Sequence, residues 1–457
     1  MSKISFNFVK EHKSIGKNVT ADLKDTIRYI MSFLLGVDRH NDIIDLIGYT
    51  DDKALWSQYK VVIRPSSFFD ENIYGSSDSL PHIPVSNLDG IPIIYGGNNI
   101  SVQSDIIITD ADIIASSFFM LSRYEEFIDK SKLHRDIHLR YIGTESFPYR
   151  AGFLHLPIVD FYGRLLRQWL NSVGVNVPEP EHGIKSYNIT HDLDIPYYCK
   201  RLRGVVGAAL RCNAIEGIRN YIMKPEKNKF FTFPYLKAQC DKLRQSHPSK
   251  THEILFVKSI VDKNFDRRFD NPVYDVRSSN IKTITDFCKH NGIEIGVHLS
   301  YHAGMRSNIV KEEISSLRSL VGVDITKNRD HYLRTLSPED YESLEFSGII
   351  DDYTLAYPDT LGYKTGTCHP HFFINPSSCA TSKTLLLHPL TLMDCTVGDN
   401  KYMHLSVDES FRRVLAMIEF SRQFGGEVTI LFHNQIFSDR SFDYRSLYQR
   451  IINELMK

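Results

Sequence analysis

The chain has 457 residues, of which 42% are hydrophobic and 24% are charged, an ordinary balance for a globular protein with enough apolar residues to build a sizeable core. Fifty-four basic and fifty-five acidic residues leave a formal net charge of −1. The overall charge therefore gives no electrostatic basis for binding nucleic acid or an anionic membrane. At this length two domains are expected.

The sequence predicts neither a secretory nor a membrane-spanning segment. Residues Met1 to Lys13 lack the apolar stretch of a signal peptide, and no uncharged apolar run approaches the ~20 residues that span a bilayer. The seven cysteines are odd in number and never spaced C-x-x-C, which indicates free thiols in a reducing compartment. We therefore predict a cytoplasmic protein.

Residues 1–180 are predicted to form a smaller α+β domain, in which no cluster of metal ligands or nucleophiles is found. Apolar spacing predicts helices over 21–36, 111–126 and 161–173, and short strands over 61–63, 91–94 and 105–109. Asp110 is the expected N-cap of the second helix. Pro178 to Pro180 is typical of a linker. We assign no role to this domain.

Residues 185–457 show strands alternating with helices. The predicted strands are 186–191, 253–258, 293–298, 329–333, 348–355, 384–393 and 427–433. The predicted helices are 201–222, 234–246, 279–290, 309–320, 338–346, 406–424 and 442–456. This alternation predicts a parallel sheet covered by helices and rolled into an irregular seven-stranded (β/α) barrel. In a barrel of this type the chemistry lies at the C-terminal ends of the strands.

The first predicted strand of this region ends in two carboxylates, Asp192 and Asp194. Residues two apart on a strand face the same side. Two carboxylates this close repel each other unless a cation or a proton lies between them. The simpler alternative is a turn in which Asp194 caps the following helix.

The predicted strand 293–298 ends in two histidines four residues apart, His298 and His302. If the chain turns into a helix there, both imidazoles lie on one face. Histidine combined with carboxylate is ordinary zinc ligation, and a catalytic site keeps one position open for water. Zinc is therefore the favoured metal, and cobalt, nickel and iron compete for the same ligands. The alternative is that the two histidines are surface or capping residues.

Other strand ends also carry polar residues. They are Arg334, Asp351, Asp352, Lys364, Asp394 and His433. Several of them have a structural alternative: a salt bridge for Arg334, a turn or cap for Asp351 and Asp352, and a buried core histidine for His433.

Four segments resemble the motifs of the polysaccharide deacetylases of the NodB-homology type, carbohydrate esterase family 4. The segments are Thr190–Asp194, His298–His302, Gly362–Pro370 and Leu431–His433. The resemblance covers roughly residues 185–457 and implies the barrel of that family. Phe119–Glu126, continuing through Phe153–Pro157, also resembles the N-terminal accessory region of a bacterial, largely Bacteroidetes-type, subgroup.

The resemblance also implies roles for individual residues. Asp192 would be the general base and His433 the general acid. Asp194, His298 and His302 would hold the metal. We further predict substrate contacts from Arg334, Lys364, Asp352 and Asp394.

The chain departs from the family pattern at two positions. The commonest first motif has two adjacent aspartates, whereas Leu193 intervenes here, so the base and ligand roles of Asp192 and Asp194 could be exchanged. Lys364 stands where the third motif normally carries arginine. Arginine is a rigid fork that orients a carboxylate, whereas lysine is a flexible point charge. Lys364 would hold the base less well.

These residues predict a metal-dependent hydrolase that acts on non-peptide C–N bonds. It would remove an acetyl group, with N-acetyl favoured, from a carbohydrate or glycan precursor. One alternative is an inactive or weakly active sugar-binding module of surface-polysaccharide synthesis. Another is an amidohydrolase acting on a non-sugar C–N bond. The expected partner is a carbohydrate substrate, with no nucleic acid and no stable membrane insertion.

Overall fold

The computed structural model describes residues 17–200, 202–210, 213–261, 266–304, 306–438 and 441–457. The chain divides into two compact units. Unit 1 consists of Met1–Gly183, Gly362–Leu386 and Gln423–Gly425, and unit 2 consists of Ile184–Leu361, Leu387–Arg422 and Gly426–Lys457. The sequence did not indicate that two later segments belong with the N-terminal residues. The assignment of domains to 1–180 and 185–457 stays a prediction.

From residue 17 onwards, where the structure describes it, the N-terminal segment of unit 1 contains five α-helices and six strands. The helices are α1 (Lys17–Leu35), α2 (Ile113–Leu121), α3 (Tyr124–Ile128), α4 (Phe147–Arg150) and α5 (Ile158–Ser172). The strands are β1 (Ile47–Tyr49), β2 (Val61–Ile63), β3 (Ser86–Leu88), β4 (Ile91–Ile93), β5 (Gly96–Gln103) and β6 (Ile106–Ala111). Four strands form a sheet in the order β1-β2-β6-β5, and β3 pairs with β4. The core lies where α1, α2 and α5 pack together around Ile30, Phe118 and Leu166.

The predicted helix over 111–126 is interrupted, and its predicted cap is wrong. Asp110 still belongs to β6, where its carboxylate accepts hydrogen bonds from Asn99. Asp112 is the N-cap instead and accepts from the Ala115 N–H at 2.9 Å. The helix stops before Arg123, whose φ of 55° is left-handed. A residue in that conformation cannot continue a right-handed helix.

Unit 2 contains the strand–helix alternation that the sequence predicts. Its helices are α6 (Leu202–Leu210), α7 (Ala214–Ile222), α8 (Phe233–Ser246), α9 (Ser279–His290), α10 (Ser307–Val321), α11 (Pro338–Phe346), α12 (Asp394–Gly398), α13 (Val407–Phe424) and α14 (Tyr444–Leu455), of which α13 ends in unit 1. The strands that follow in the chain are β7 (Ser186–Leu193), β8 (Thr251–Val257), β9 (Glu294–Leu299), β10 (Lys327–Asp330), β11 (Asp351–Leu355), β12 (His371–Ile374), β13 (Thr381–Pro389), β14 (Leu392–Met393) and β15 (Glu427–Leu431). Strand β12 and the first part of β13 belong to unit 1.

The sheet of unit 2 has the strand order β13-β11-β10-β9-β8-β7-β15-β14. From β11 to β14, every neighbouring pair in this order is parallel. The strands β7, β8 and β15 are buried over almost their whole length, as expected for a parallel sheet covered on both faces. The predicted mixed α/β fold with a parallel sheet is confirmed. Among the described residues β13 and β14 do not pair, so the closed seven-stranded barrel stays a prediction.

Several predicted elements of unit 2 differ in their bounds. The helix predicted over 201–222 is two helices, α6 and α7. The strand predicted over 384–393 is split into β13 and β14. The strand predicted over 329–333 begins earlier, at Lys327, and gives way to a short 3-10 turn after Asp330. Within these segments apolar spacing continues across the breaks, so periodicity alone does not reveal them.

Two sequence predictions fall partly outside the described residues. Met1 to Lys13 and Cys212 lie outside them, so the absence of a signal segment and the state of that thiol stay predictions. The six described cysteines are free thiols, as predicted. Within the described ranges we find no helix that combines the length and the apolar character needed to cross a bilayer.

We expect His388 to make the stability of the fold depend on pH. In β13 its Nδ1 lies 3.0 Å from Glu427 Oε2 and its Nε2 lies 3.1 Å from Asp351 Oδ1. Burial lowers the pKa of His388, but Glu427 and Asp351 outweigh burial and raise the pKa to about 9. A folded-state pKa above the unfolded value near 6.5 gives stability that is full below pH 6.5 and is lost as the pH rises through about 9.

Replacing His388 by Gln therefore lowers the free energy of unfolding at pH 6 by on the order of 2 kcal/mol. The loss shrinks towards zero above pH 9, because there the wild-type imidazole is also neutral. Urea unfolding of both chains across this pH range measures the difference. If the difference in free energy of unfolding between the wild type and the variant stays the same from pH 6 to pH 9.5, the imidazole is not charged in the folded protein.

Candidate metal and acid–base site

The carboxylates Asp192 and Asp194 lie at the C-terminal end of β7. This strand is central in the sheet, between β8 and β15, so its main-chain groups are bonded on both sides. His191 points the other way, with its Nδ1 2.9 Å from Phe432 O. Burial lowers the pKa of His191 to about 4, and the imidazole is neutral. Asp192 and Asp194 both approach His298 Nε2, at 3.7 Å and 3.2 Å, so the two carboxylates lie on the same side of the strand.

Asp194 meets two imidazoles at one oxygen. Its Oδ1 lies 3.2 Å from His298 Nε2 and 3.2 Å from His331 Nε2. His298 lies in β9, and His331 follows the last residue of β10 directly. All three ligand atoms lie within 4.8 Å of one another. One carboxylate and two imidazoles at this separation form a set that a single divalent ion can occupy.

Both imidazoles are held through their other nitrogen. His298 Nδ1 donates to Arg329 O at 2.8 Å. A carbonyl only accepts, so Nδ1 carries a proton, and the other ring nitrogen, Nε2, faces Asp194. His331 Nδ1 lies 3.1 Å from Asp270 Oδ1, which also accepts from Tyr301 N. Imidazoles that bind metals are usually oriented by such partners.

The donor set fits a divalent cation. The buried atoms His298 Nε2 and Asp194 Oδ1 have no hydrogen-bond partner, although buried polar atoms are normally satisfied. These two atoms face each other 3.2 Å apart, and a cation bound there would contact both. We therefore read Asp194, His298 and His331 as the residues that would hold the metal.

His302, the sequence-predicted second imidazole, lies elsewhere. Residues Tyr301 to Gly304 form a turn rather than a helix, with Ala303 N donating to Ser300 O. His302 Nε2 lies 3.7 Å from Asp266 Oδ2, and the side chain is 37% exposed. Because four-residue spacing places two side chains together only on a helix, the turn separates His302 from His298. The structure brings His331 to the cluster instead.

A buried ammonium competes for the same carboxylate. Lys258, directly after β8, places its Nζ 3.8 Å from Asp194 Oδ1. Its side chain is only 2% exposed. Burial alone would raise the pKa of Asp194, but the adjacent His331 and Lys258 hold it well below its ordinary value. The sequence prediction did not include Lys258, whose signal is a lysine at the end of an apolar strand.

Asp192 is held by a buried arginine. Arg329 Nη1 lies 3.2 Å from Asp192 Oδ1 and 2.8 Å from Thr190 Oγ1. Its Nε donates to Tyr353 O at 3.0 Å, which fixes the guanidinium plane. Asp192 Oδ2 in turn lies 3.7 Å from His298 Nε2. Sequence reasoning missed Arg329, although an arginine within a predicted buried strand is the signal that identifies it.

Lys364 has a different environment from the one predicted. Within unit 1 its Nζ lies 3.3 Å from Glu126 Oε1, and Glu126 also binds Arg123 at 2.5 Å. Burial and Arg123 lower the pKa of Lys364 to about 7, although Glu126 opposes the shift. Asp192 is oriented by Arg329, and substrate contact by Lys364 stays a prediction.

His433 is paired with Asp394, as the acid of a proton-transfer pair would be. Asp394 Oδ1 lies 2.9 Å from His433 Nδ1, and Asp394 Oδ2 accepts from His433 N at 2.7 Å. Burial would lower the pKa of His433, but Asp394 outweighs it and the pKa lies well above its ordinary value. The opposite nitrogen, Nε2, lies 3.5 Å from Asp194 Oδ2. The structure thus places Asp394 behind His433.

Two further predicted substrate-binding residues have structural partners. Arg334 Nη1 donates to Tyr301 O at 2.8 Å, and the Arg334 guanidinium lies over the Tyr301 ring. Asp352 is fully buried and accepts hydrogen bonds from Asn328 and from Thr354, each at 2.7 Å. Because its carboxylate is enclosed and bonded within the sheet, Asp352 has a structural role in this conformation. Substrate contact by either residue stays a prediction.

Comparisons with known proteins give little further identification. The family of unknown function DUF7033 matches residues 19–174, which is less than half of the chain. No curated protein is significantly similar to the sequence. The Bacteroidetes-type accessory region therefore stays a prediction.

Several solved structures are weakly similar, and three of them show the level of similarity. A candidate polysaccharide deacetylase from Mycobacterium smegmatis is 15% identical, with 61% of this chain and 88% of that chain covered and a TM-score of 0.39. An allantoinase is 14% identical, with 62% and 88% covered and a TM-score of 0.36. A mutant of a CE4-family pseudoenzyme with restored activity is 9% identical, with 62% and 71% covered and a TM-score of 0.27. At these TM-scores the similarities support no conclusion about the activity or ligands of this chain.

The sequence predicted that His302 completes the metal site with Asp194 and His298, whereas the structure indicates His331. A matched pair of histidine variants distinguishes these two ligand sets. We expect His331→Ala to lose zinc, because one of the three converging donors is removed. We expect His302→Ala to keep zinc, because that imidazole lies beside Asp266. Elemental analysis of each purified chain after equilibration with zinc and gel filtration measures the stoichiometry. The reverse result, with metal lost only in His302→Ala, would restore the sequence-predicted set.

We also expect Lys258→Met to bind zinc more tightly than the wild type, by on the order of tenfold or more, because a like charge next to Asp194 is removed. Lys327→Met is the control, since that ammonium pairs with Asp351 and Glu294 instead. Competition with a coloured chelator measures both affinities. Weaker binding in Lys258→Met would show that the ammonium supports the ligand set rather than opposing it.

Proposed function

We propose that this protein is a metal-dependent hydrolase that removes an acetyl group, with N-acetyl favoured, from a carbohydrate or glycan precursor. One observation carries the proposal. A candidate metal cluster lies between a carboxylate that is held by arginine and an imidazolium that is held by aspartate. The cluster is Asp194, His298 and His331, and the flanking groups are Asp192 and His433.

The metal would be held by Asp194, His298 and His331. Zinc is favoured for one carboxylate and two imidazoles, and cobalt, nickel or iron would compete for them. When bound, such an ion lowers the pKa of its water to about 7 and polarises a carbonyl group. The remaining chemistry belongs to the side chains around the cluster.

Asp192 is proposed as the general base. The guanidinium of Arg329 fixes one carboxylate oxygen, and the other oxygen faces His298 at the edge of the cluster. Arg329 therefore both neutralises Asp192 and orients it, because a guanidinium is permanently charged and its planar donors fix the position of a carboxylate. A carboxylate held in this way can take the proton of a water as it attacks the acetyl carbon.

His433 is proposed as the general acid. Asp394 keeps the imidazole protonated and fixes its orientation, and Nε2 is the nitrogen on the side of the cluster. Loss of an amine requires a proton, because an amide anion is too basic to leave. A histidine with a raised pKa holds that proton at neutral pH and can pass it to the leaving nitrogen.

The substrate class is supported by the four sequence segments that resemble polysaccharide deacetylase motifs, since amide hydrolysis by itself would suit other C–N bonds. Three of these segments supply Asp192, Asp194, His298 and His433. An amidohydrolase acting on a non-sugar C–N bond uses the same groups. A panel of N-acetylated and O-acetylated sugars beside cyclic ureides separates the two activities.

A binding module without catalysis is the second candidate, and Lys258 is the observation that favours it. An ammonium 3.8 Å from Asp194 supplies positive charge without a metal. In that case the purified wild-type chain would contain no metal, would release no acetate and would still bind a sugar. Calorimetric titration with the same sugar panel would detect that binding.

Asp192→Asn tests the proposed base. We expect the variant to retain zinc and to lose acetate release by about 100-fold to 10,000-fold, the range for removal of a general base. Asp351→Asn is the matched control, because that carboxylate lies in β11 and binds Lys327 and His388. Acetate release from the best substrate of the panel and metal content are measured on the same samples.

Two outcomes would change the assignment. Loss of zinc in Asp192→Asn would show that Asp192 is a ligand and that the base and ligand roles are exchanged. Undiminished acetate release in both Asp192→Asn and His331→Ala would refute a hydrolytic role for this cluster.

A further inference from the structure

Helices α6 and α7 form a hairpin that the proposed hydrolysis does not explain. The hairpin belongs to unit 2 and lies in the chain between β7 and α8. The two helices pack against each other. Each has nine residues and is amphipathic, but their larger apolar side chains do not face each other.

Each helix exposes a row of large apolar side chains. In α6 the row is Leu202, Val206 and Leu210, which are 69%, 59% and 81% exposed. In α7 it is Ile215, Ile218 and Ile222, which are 86%, 49% and 75% exposed. Spacings of three and four residues place each row on one helix face. Two neighbouring helices thus each expose an apolar row, six large aliphatic side chains in all, and exposed apolar surface of this size marks an interaction site.

Small residues explain why the large ones lie outside. A Cβ atom at Gly217 would lie 2.7 Å from the Ala208 Cβ, so the helices approach too closely for larger groups between them. The base of the hairpin is held by polar contacts: Asn228 accepts from Tyr198 N and donates to Tyr198 O, both at 2.9 Å. The apolar rows therefore project from a hairpin that is fixed at its base.

The segment that carries these rows is strongly basic, unlike the chain as a whole. Between Lys200 and Lys229 the sequence has eight lysines and arginines and two glutamates, a charge of +6 against a net −1 for the whole chain. Arg219, Lys224 and Lys227 are exposed. One of the two glutamates, Glu216, is paired with Lys229 at 2.7 Å.

We propose that the α6–α7 hairpin docks on the surface of an anionic phospholipid bilayer. Exposed leucine, valine and isoleucine on one side of short helices, with lysine and arginine around them, is the pattern by which amphipathic helices insert into the headgroup region. Basic residues next to that surface are attracted by anionic lipid. The net charge of the chain gives no indication of this surface, because acidic residues elsewhere balance the local excess.

The positive charge of this segment favours an anionic bilayer over the other partners that could cover an apolar face. A second copy of the chain would bring two basic segments together, which costs free energy through like-charge repulsion. A nucleic acid would use the basic residues but leave the six aliphatic side chains in water. An anionic bilayer satisfies both features. The docking does not depend on the proposed hydrolase activity, and its test does not measure that activity.

Sedimentation of the full-length chain with vesicles tests the proposal. The vesicles contain phosphatidylcholine alone or phosphatidylcholine with phosphatidylglycerol, at low and high salt. We expect binding to the anionic vesicles, weaker binding at high salt, and little binding to the neutral ones. We expect Arg219→Gln combined with Lys224→Gln to weaken binding about 30-fold, from the attraction of two basic groups to anionic lipid.

A pair of apolar variants completes the test. Ile215→Ser should weaken binding by about tenfold, since an inserted side chain is lost. Ile137→Ser in unit 1 is the matched control, because Ile137 is 84% exposed and lies outside the hairpin. We expect that variant to bind like the wild type. Circular dichroism confirms that both variants are folded.

Three results would overturn the proposal. The first is absence of binding to phosphatidylglycerol vesicles at low salt. The second is equal loss of binding in Ile137→Ser and Ile215→Ser. The third is a lipid-free dimer in sedimentation velocity that Ile215→Ser dissociates, which would assign the apolar face to a second copy.

Discussion

The candidate site depends on the charge balance around one oxygen atom. Asp194 Oδ1 lies 3.2 Å from two imidazole nitrogens and 3.8 Å from the ammonium of Lys258, all shielded from water. In a buried environment an uncompensated carboxylate is costly, so positive charge must be present. Without a metal, His331 and Lys258 supply it, and a divalent ion would supply it instead when bound. Catalysis and simple binding differ in this site by whether a metal or these two side chains neutralise Asp194.

Each reactive group is held by a second group behind it. Arg329 contributes twice, because its carbonyl fixes the ring of His298 and its guanidinium fixes Asp192. Asp394 fixes and charges His433 in the same way. Such support matters because a group that is misplaced by about an ångström loses much of its catalytic effect. The geometry is therefore organised before any substrate arrives, although the support costs several buried charges.

Charge is distributed unevenly along the chain, which the net charge of the whole chain does not show. A net charge of −1 is compatible with buried acid–base clusters in the sheet and with a basic hairpin that exposes aliphatic side chains. The exposed rows arise because Gly217 and Ala208 bring α6 and α7 close together. Because only small residues fit between the two helices, the large aliphatic side chains lie on their outer faces.

The sequence by itself determined the alternation of strands and helices in residues 185–457. It also determined that Asp192 and Asp194 share one side of a strand and that His298 and His433 lie at strand ends. These features follow from the two-residue period of a strand and from the common direction of parallel strands. Only the tertiary structure decided which imidazole joins His298. His298 and Arg329 are paired across β9 and β10, so His331, two residues further along, arrives beside the cluster. His302 follows a turn instead of a helix. Pairing between strands joins residues that are distant in the chain. No local sequence pattern around His302, Arg329 or His331 predicts which strands pair.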